Sequence, residues 1–96
     1  MDDFVEQRDQ IAAILARHHA SKPRVLAVMS TAGVSPARSL IEMLVEFEDG
    51  GKDPLNWGWL QIDLTLLFGC QVDIFTEETL PEPRREAMLQ QARPLF

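Results

Sequence analysis

Leu40-Ile41-Glu42-Met43-Leu44-Val45-Glu46-Phe47 is the stretch on which the fold turns. Successive side chains of a strand point to opposite faces. Ile41, Met43, Val45 and Phe47 therefore share one face, and Leu40, Glu42, Leu44 and Glu46 share the other. One face is wholly apolar and the other carries acids, the pattern of a strand with one side in a core. Glu48-Asp49-Gly50-Gly51 supplies the turn that ends it.

Upstream, Arg24 to Ser30 (RVLAVMS) is a nearly continuous apolar run of strand length, as a buried central strand would be. Thr31 to Ser39, with Gly33 and Ser35-Pro36, reads as a loop or short helical turn. A helix is predicted from about Phe4 to His18. Asp3 and Glu6 stand at capping-box spacing, and Phe4, Ile11, Leu15 and His18 form one stripe. Lys22-Pro23 is expected to stop it. Downstream, Asp53-Pro54 opens a helix in a cap-then-proline pattern and Gly69 closes it. Gln71 to Thr76 (QVDIFT) is a third strand, and a short helix around Arg84 to Ala92 ends at Pro94. Helices alternate with strands, so the class is α/β or α+β, with a mixed sheet of three to four strands packed with helices. At 96 residues the expectation is one domain spanning 1–96.

Composition narrows the function. The formal charge is −6 and no basic run occurs. Phosphate backbones are bound mainly through clustered Lys and Arg, so direct nucleic-acid binding is not expected. A mononucleotide or a basic protein surface stays open. Cys70 is alone, which leaves neither a disulfide framework nor a zinc site of the usual kind. The N-terminus is acidic without a long apolar run, and no segment has the length of a membrane span. A cytoplasmic protein is the expectation. His18-His19, at a helix end, reads as a C-terminal cap rather than a metal site.

The helix from Pro54 to Phe68 is apolar on two sides. At 100° per residue, Leu55, Trp59, Ile62 and Leu66 form one stripe, and Trp57, Leu60, Leu64, Leu67 and Phe68 form a second. Asn56 and Asp63 separate them along one edge. Two accounts follow. The helix lies between the sheet and the first helix, or one stripe docks on the sheet and the other binds a second chain. For the second account the candidate interface residues are Trp57, Trp59, Leu60 and Leu64.

From Arg24 to Phe96 the chain resembles the minimal nucleotidyltransferases of the DNA polymerase β superfamily. Typical members run strand, Gly-Ser, a loop with Ala-Arg-Gly, then Ser-Asp-Ile-Asp-Leu-Leu-Val-Glu-Phe. Here Met29-Ser30, Ala32-Gly33 and Ser39 to Phe47 occupy those places. Members continue with a helix ending in Leu-Gly, a Val-Asp-Leu strand, and a close in Pro-Leu and an aromatic. This chain has Phe68-Gly69, Val72-Asp73-Ile74 and Pro94-Leu95-Phe96.

The resemblance implies a nucleotide-transfer site with catalytic and metal-ligating positions at 40, 42 and 73. Two divalent ions would be clamped there by carboxylates. Leu40 stands where the first aspartate is expected, Glu42 at the second, and Asp73 at the third. Ser30 and Gly33 keep parts of the phosphate-binding loop. Met29 replaces its glycine, and the Arg between Ala32 and Gly33 is absent. The expectation is a remnant site on Glu42 and Asp73, with no cofactor, in an interaction subunit. It would be a homodimer or would pair with a small protein, a HEPN-type partner in an antitoxin-like role. The alternative is an active enzyme that uses Mg²⁺ and ATP to transfer a nucleoside monophosphate onto a protein or small molecule.

Overall fold

The computed structural model describes residues 7–29, 40–48 and 50–95. Two local signals set its central helix. The Asp53 side chain accepts a hydrogen bond from the Leu55 amide at 2.8 Å, and Pro54 follows at the first helical position. At the other end Gly69 takes the left-handed conformation, φ 71°, and its amide returns to the Thr65 carbonyl. The result is α2, Pro54–Phe68.

In chain order the elements are α1 (Arg8–Arg17), β1 (Ala20–Met29), β2 (Leu40–Phe47), α2, β3 (Gln71–Phe75), a 3-10 turn (Glu77–Thr79), α3 (Arg85–Gln91) and a two-residue β4 (Arg93–Pro94). The sheet order is β3-β2-β1-β4. β1 runs antiparallel to β2 and to β4, while β3 is parallel to β2, so the sheet is mixed. A parallel pair needs a crossover, and α2 provides it.

The core lies on one side of the sheet. Ile41, Met43 and Val45 from β2 and Val72 and Ile74 from β3 meet Ile11 and Leu15 of α1 and Leu60 and Leu64 of α2. Trp57, Leu67, Phe68 and Phe47 pack around them. Leu44 points the other way and is still fully buried, as is Leu80. There the 3-10 turn packs against β2. The far face of the sheet is thus covered toward the C-terminal end of β2, while Leu40 and Glu42 toward its other end are half-buried.

Several boundaries differ from the sequence reading. The capping box Asp3/Glu6 and the start of the first helix lie outside the described residues. Lys22-Pro23 does not stop the helix, which ends at Arg17; both residues lie inside β1. The strand accommodates them with a break in register between Ser21 and Arg24, where Lys22 has φ 51°. Bulges are where a sheet tolerates proline. The Pro23 carbonyl accepts from the Leu95 amide at 3.0 Å, which helps fasten the C-terminal segment. β1 is central in the strand order but not fully buried, with Val28 exposed. β4 is too short to have been read from its sequence.

Candidate functional site

The parallel register of β2 and β3 sets Leu40 beside Gln71, Ile41 beside Val72, and Glu42 beside Asp73. Ile41 and Val72 are in the core, so alternation turns Leu40, Glu42, Gln71 and Asp73 to the opposite face. The two acids the sequence singled out are therefore neighbours on adjacent strands, each half-buried. Across β1, Ala27 stands opposite Glu42.

The acid next along this face of β2 shows what an engaged carboxylate looks like here. Glu46 meets Arg24 at 3.5 Å and Lys22 at 3.7 Å. Among the described residues, Glu42 and Asp73 have no such cation. Asp73 instead accepts a hydrogen bond from the Gln71 side-chain amide at 3.1 Å. That bond engages one oxygen of the carboxylate and leaves its other acceptor sites free. Leu40, beside Gln71, offers no donor atom at all. Ser30 and Gly33 lie outside the described residues, as do the rest of 30–39. Among the described residues, no group of three or more His, Cys, Asp or Glu is placed to hold a metal ion.

The candidate interface residues divide. Leu60 and Leu64 have no exposed surface, and Trp57 packs against the core with its ring 5.2 Å from that of Phe47. All three pack on the core side of the helix, Leu60 and Leu64 completely and Trp57 in part. Trp59 is exposed. With it are Leu55, Ile62 and Leu66, at 69% (Leu55), 53% (Trp59), 49% (Ile62) and 76% (Leu66) exposure. Among the described residues nothing covers this stripe, so α1 does not sandwich α2 as one account required.

α1 packs on the inner stripe through Ile11 and Leu15, and a polar cluster the sequence reading missed fastens its end to the edge between the stripes. The His18 ring bonds Asn56 Oδ1 through Nδ1 at 3.0 Å and Asp63 Oδ2 through Nε2 at 2.7 Å. Arg17 adds a contact to Asp63 at 3.6 Å. The Asn56 amide nitrogen donates to the carbonyls of His18 and Gly51, both at 2.8 Å. Those two donations fix which way the amide faces, leaving its oxygen for the ring. His18 is at the helix end as expected, but its ring ties α1 to α2. The signal available in the sequence was Asn56 and Asp63, two polar residues seven apart on the edge between the apolar stripes.

A mixed sheet carrying paired acids on adjacent strands, backed by helices on its other face, defines a nucleotidyltransferase-like α/β domain. A solved structure described as that of a minimal nucleotidyltransferase is similar to this chain at 32% identity, with a TM-score of 0.64. The similarity covers 95% of this chain and 94% of that one. The chain belongs to the minimal nucleotidyltransferase family. No family model and no curated protein matches it. No helix among the described residues is long and apolar enough to cross a membrane.

Proposed function

We propose that this chain is a protein-interaction subunit built on a nucleotidyltransferase scaffold whose transfer site no longer works. The observation that carries the reading is the make-up of the sheet face opposite the core: Leu40 and Gln71 side by side, next to Glu42 and Asp73. Two-ion chemistry needs a carboxylate set able to hold both metals in octahedral oxygen geometry. Leucine at position 40 removes one ligand, which leaves Glu42 and Asp73 as two carboxylates where three are needed. The residues present do not fit a two-ion site.

A scaffold without transfer chemistry needs another use, and the exposed stripe of α2 supplies one. Isolated apolar side chains are ordinary on protein surfaces, whereas four on one helix face form a contiguous patch. The partner is a second copy or a small protein. A HEPN-type protein, in an antitoxin-like pairing, is the partner the family resemblance implies.

The second reading, an active Mg²⁺- and ATP-dependent nucleotidyltransferase, is favoured by one observation, the direct register of Glu42 with Asp73. In it those two residues would hold metal, and Ser30 and Gly33 would hold phosphate. Calorimetric titration with Mg²⁺ and ATP separates the readings. A silent wild type with binding gained in Leu40→Asp is the expected result. Heat from the wild type that is lost in Asp73→Asn would overturn the disabled-site reading.

A further inference from the structure

We infer that the exposed stripe of α2 docks a second copy of this chain in an antiparallel, two-fold arrangement. The inference rests on the interaction reading for the choice of face, and adds the partner and its geometry.

The stripe has a self-matching pattern. Leu55, Trp59, Ile62 and Leu66 are separated by four, three and four residues. That is the alternating spacing of a helix–helix seam, in which apolar positions recur every 3.5 residues on average. It also reads the same in both directions about a point between Leu60 and Gln61. Turning a second α2 end for end therefore sets Leu55 on Leu66 of the second copy and Trp59 on Ile62, with the reciprocal pairs following by symmetry. This is the self-complementarity a two-fold interface requires, residue i meeting j while j meets i. A different partner would need no such symmetry from this helix.

Charge points the same way. The chain carries a net −6, so most ways of bringing two copies together oppose like charges. α2 escapes this, because Asp63 is its sole charged residue and is already held by His18 and Arg17. The opposite rim of the stripe is formed by Gly58 and Thr65, small and neutral. A Cβ at Gly58 would meet nothing within 4 Å, which leaves open space there for a second helix.

Size sets the strength. The four side chains leave on the order of 100 Å² each in water, so two copies would cover roughly 800 Å² between them. Rim atoms bring the total close to the lower end of stable interfaces, about 1,200 Å². A weak dimer is the consequence, monomeric near ~1 µM and largely dimeric at several hundred micromolar.

Sedimentation velocity across that concentration range, on the full chain, tests the association. The wild type is expected to shift from monomer to dimer. Trp59→Glu and Ile62→Glu should each weaken association at least tenfold while leaving the far-UV spectrum and melting curve intact. Disulfide trapping tests the geometry in a Cys70→Ser background. Leu55→Cys combined with Leu66→Cys should cross-link copies. Either change alone should not, since 11 residues of helix separate like positions by about 16 Å. A monomer at every concentration, a dimer that survives both glutamates, or efficient cross-linking by a single cysteine would each overturn the proposal. The calorimetry above fails independently: nucleotide binding by the wild type would sink the disabled site and leave the dimer untouched.

Discussion

Replacing Asn56 tests how α1 is fastened to α2. The residue makes three hydrogen bonds, to the His18 carbonyl, the Gly51 carbonyl and the His18 ring, at 2.8, 2.8 and 3.0 Å. His18 is 8% exposed and Gly51 is buried, so water replaces the lost partners only in part. Net contributions of about 1 kcal/mol per bond, adjusted for stranded polar groups on one side and partial rehydration on the other, give about 2–4 kcal/mol for Asn56→Leu. A domain of this size has about 5–15 kcal/mol in total, so the loss is a large share. The Tm should fall by about 10–25 °C, and the urea midpoint by about 1–2 M at an unchanged slope. Asn56→Asp is the sharper variant. It keeps the shape and the oxygen facing the ring, but puts a second oxygen against two carbonyls that require a donor. It should be as unstable as the leucine variant, whatever the carboxylate gains from the ring. Urea titration followed by tryptophan fluorescence reads both, because Trp57 packs on Phe47 in the same core. An Asn56→Asp protein as stable as wild type, or a midpoint shift below about 0.5 M for Asn56→Leu, would refute the reasoning.

Three further outcomes can be checked on the same apparatus. Gly51→Ala should cost about 2 kcal/mol or more, because a Cβ there would lie 2.9 Å from the His19 carbonyl oxygen, where backbone cannot move aside cheaply; a melting curve matching wild type would contradict this. Gly58→Ala should instead stabilise by about 0.5–1 kcal/mol, since the position is mid-helix with open space around it. It is best measured in dilute protein, where association adds nothing. Burial pushes the Cys70 thiol up from its ordinary value, which lowers the thiolate fraction near neutral pH. Iodoacetamide should therefore label the folded chain more slowly than the urea-unfolded one, and equal rates would be the contrary result.

The candidate site was legible in part. Glu42 and Asp73 could be placed on one face by strand alternation and by resemblance, but their pairing depended on the β2–β3 register. A one-residue slip would have set Glu42 against Val72 or Ile74 instead. The hydrogen bond from Gln71 to Asp73 lay beyond reach, because it depends on how an exposed and a half-buried side chain turn on the finished sheet. The polar cluster around His18 was invisible for a similar reason. Its members lie 38 and 45 residues apart, and nothing local marks a histidine at a helix end as the partner of a later helix.

Local chemistry by itself determined β2, with its boundaries and both faces, and α2, with its aspartate cap, its first-turn proline and its closing glycine. Those signals act over a few residues and need no partner. It also determined that α2 carries two apolar stripes, but not which of them would meet the sheet. The stripes are nearly opposite and similarly apolar, so hydrophobic burial alone gives the helix no preferred rotation about its axis. Only the tertiary structure decided that. Asn56 and Asp63, on the edge between the stripes, are drawn to His18 at the end of α1, and this contact turns Leu60 and Leu64 inward. Trp59 and Ile62 are left outside, where the second copy is proposed to meet them.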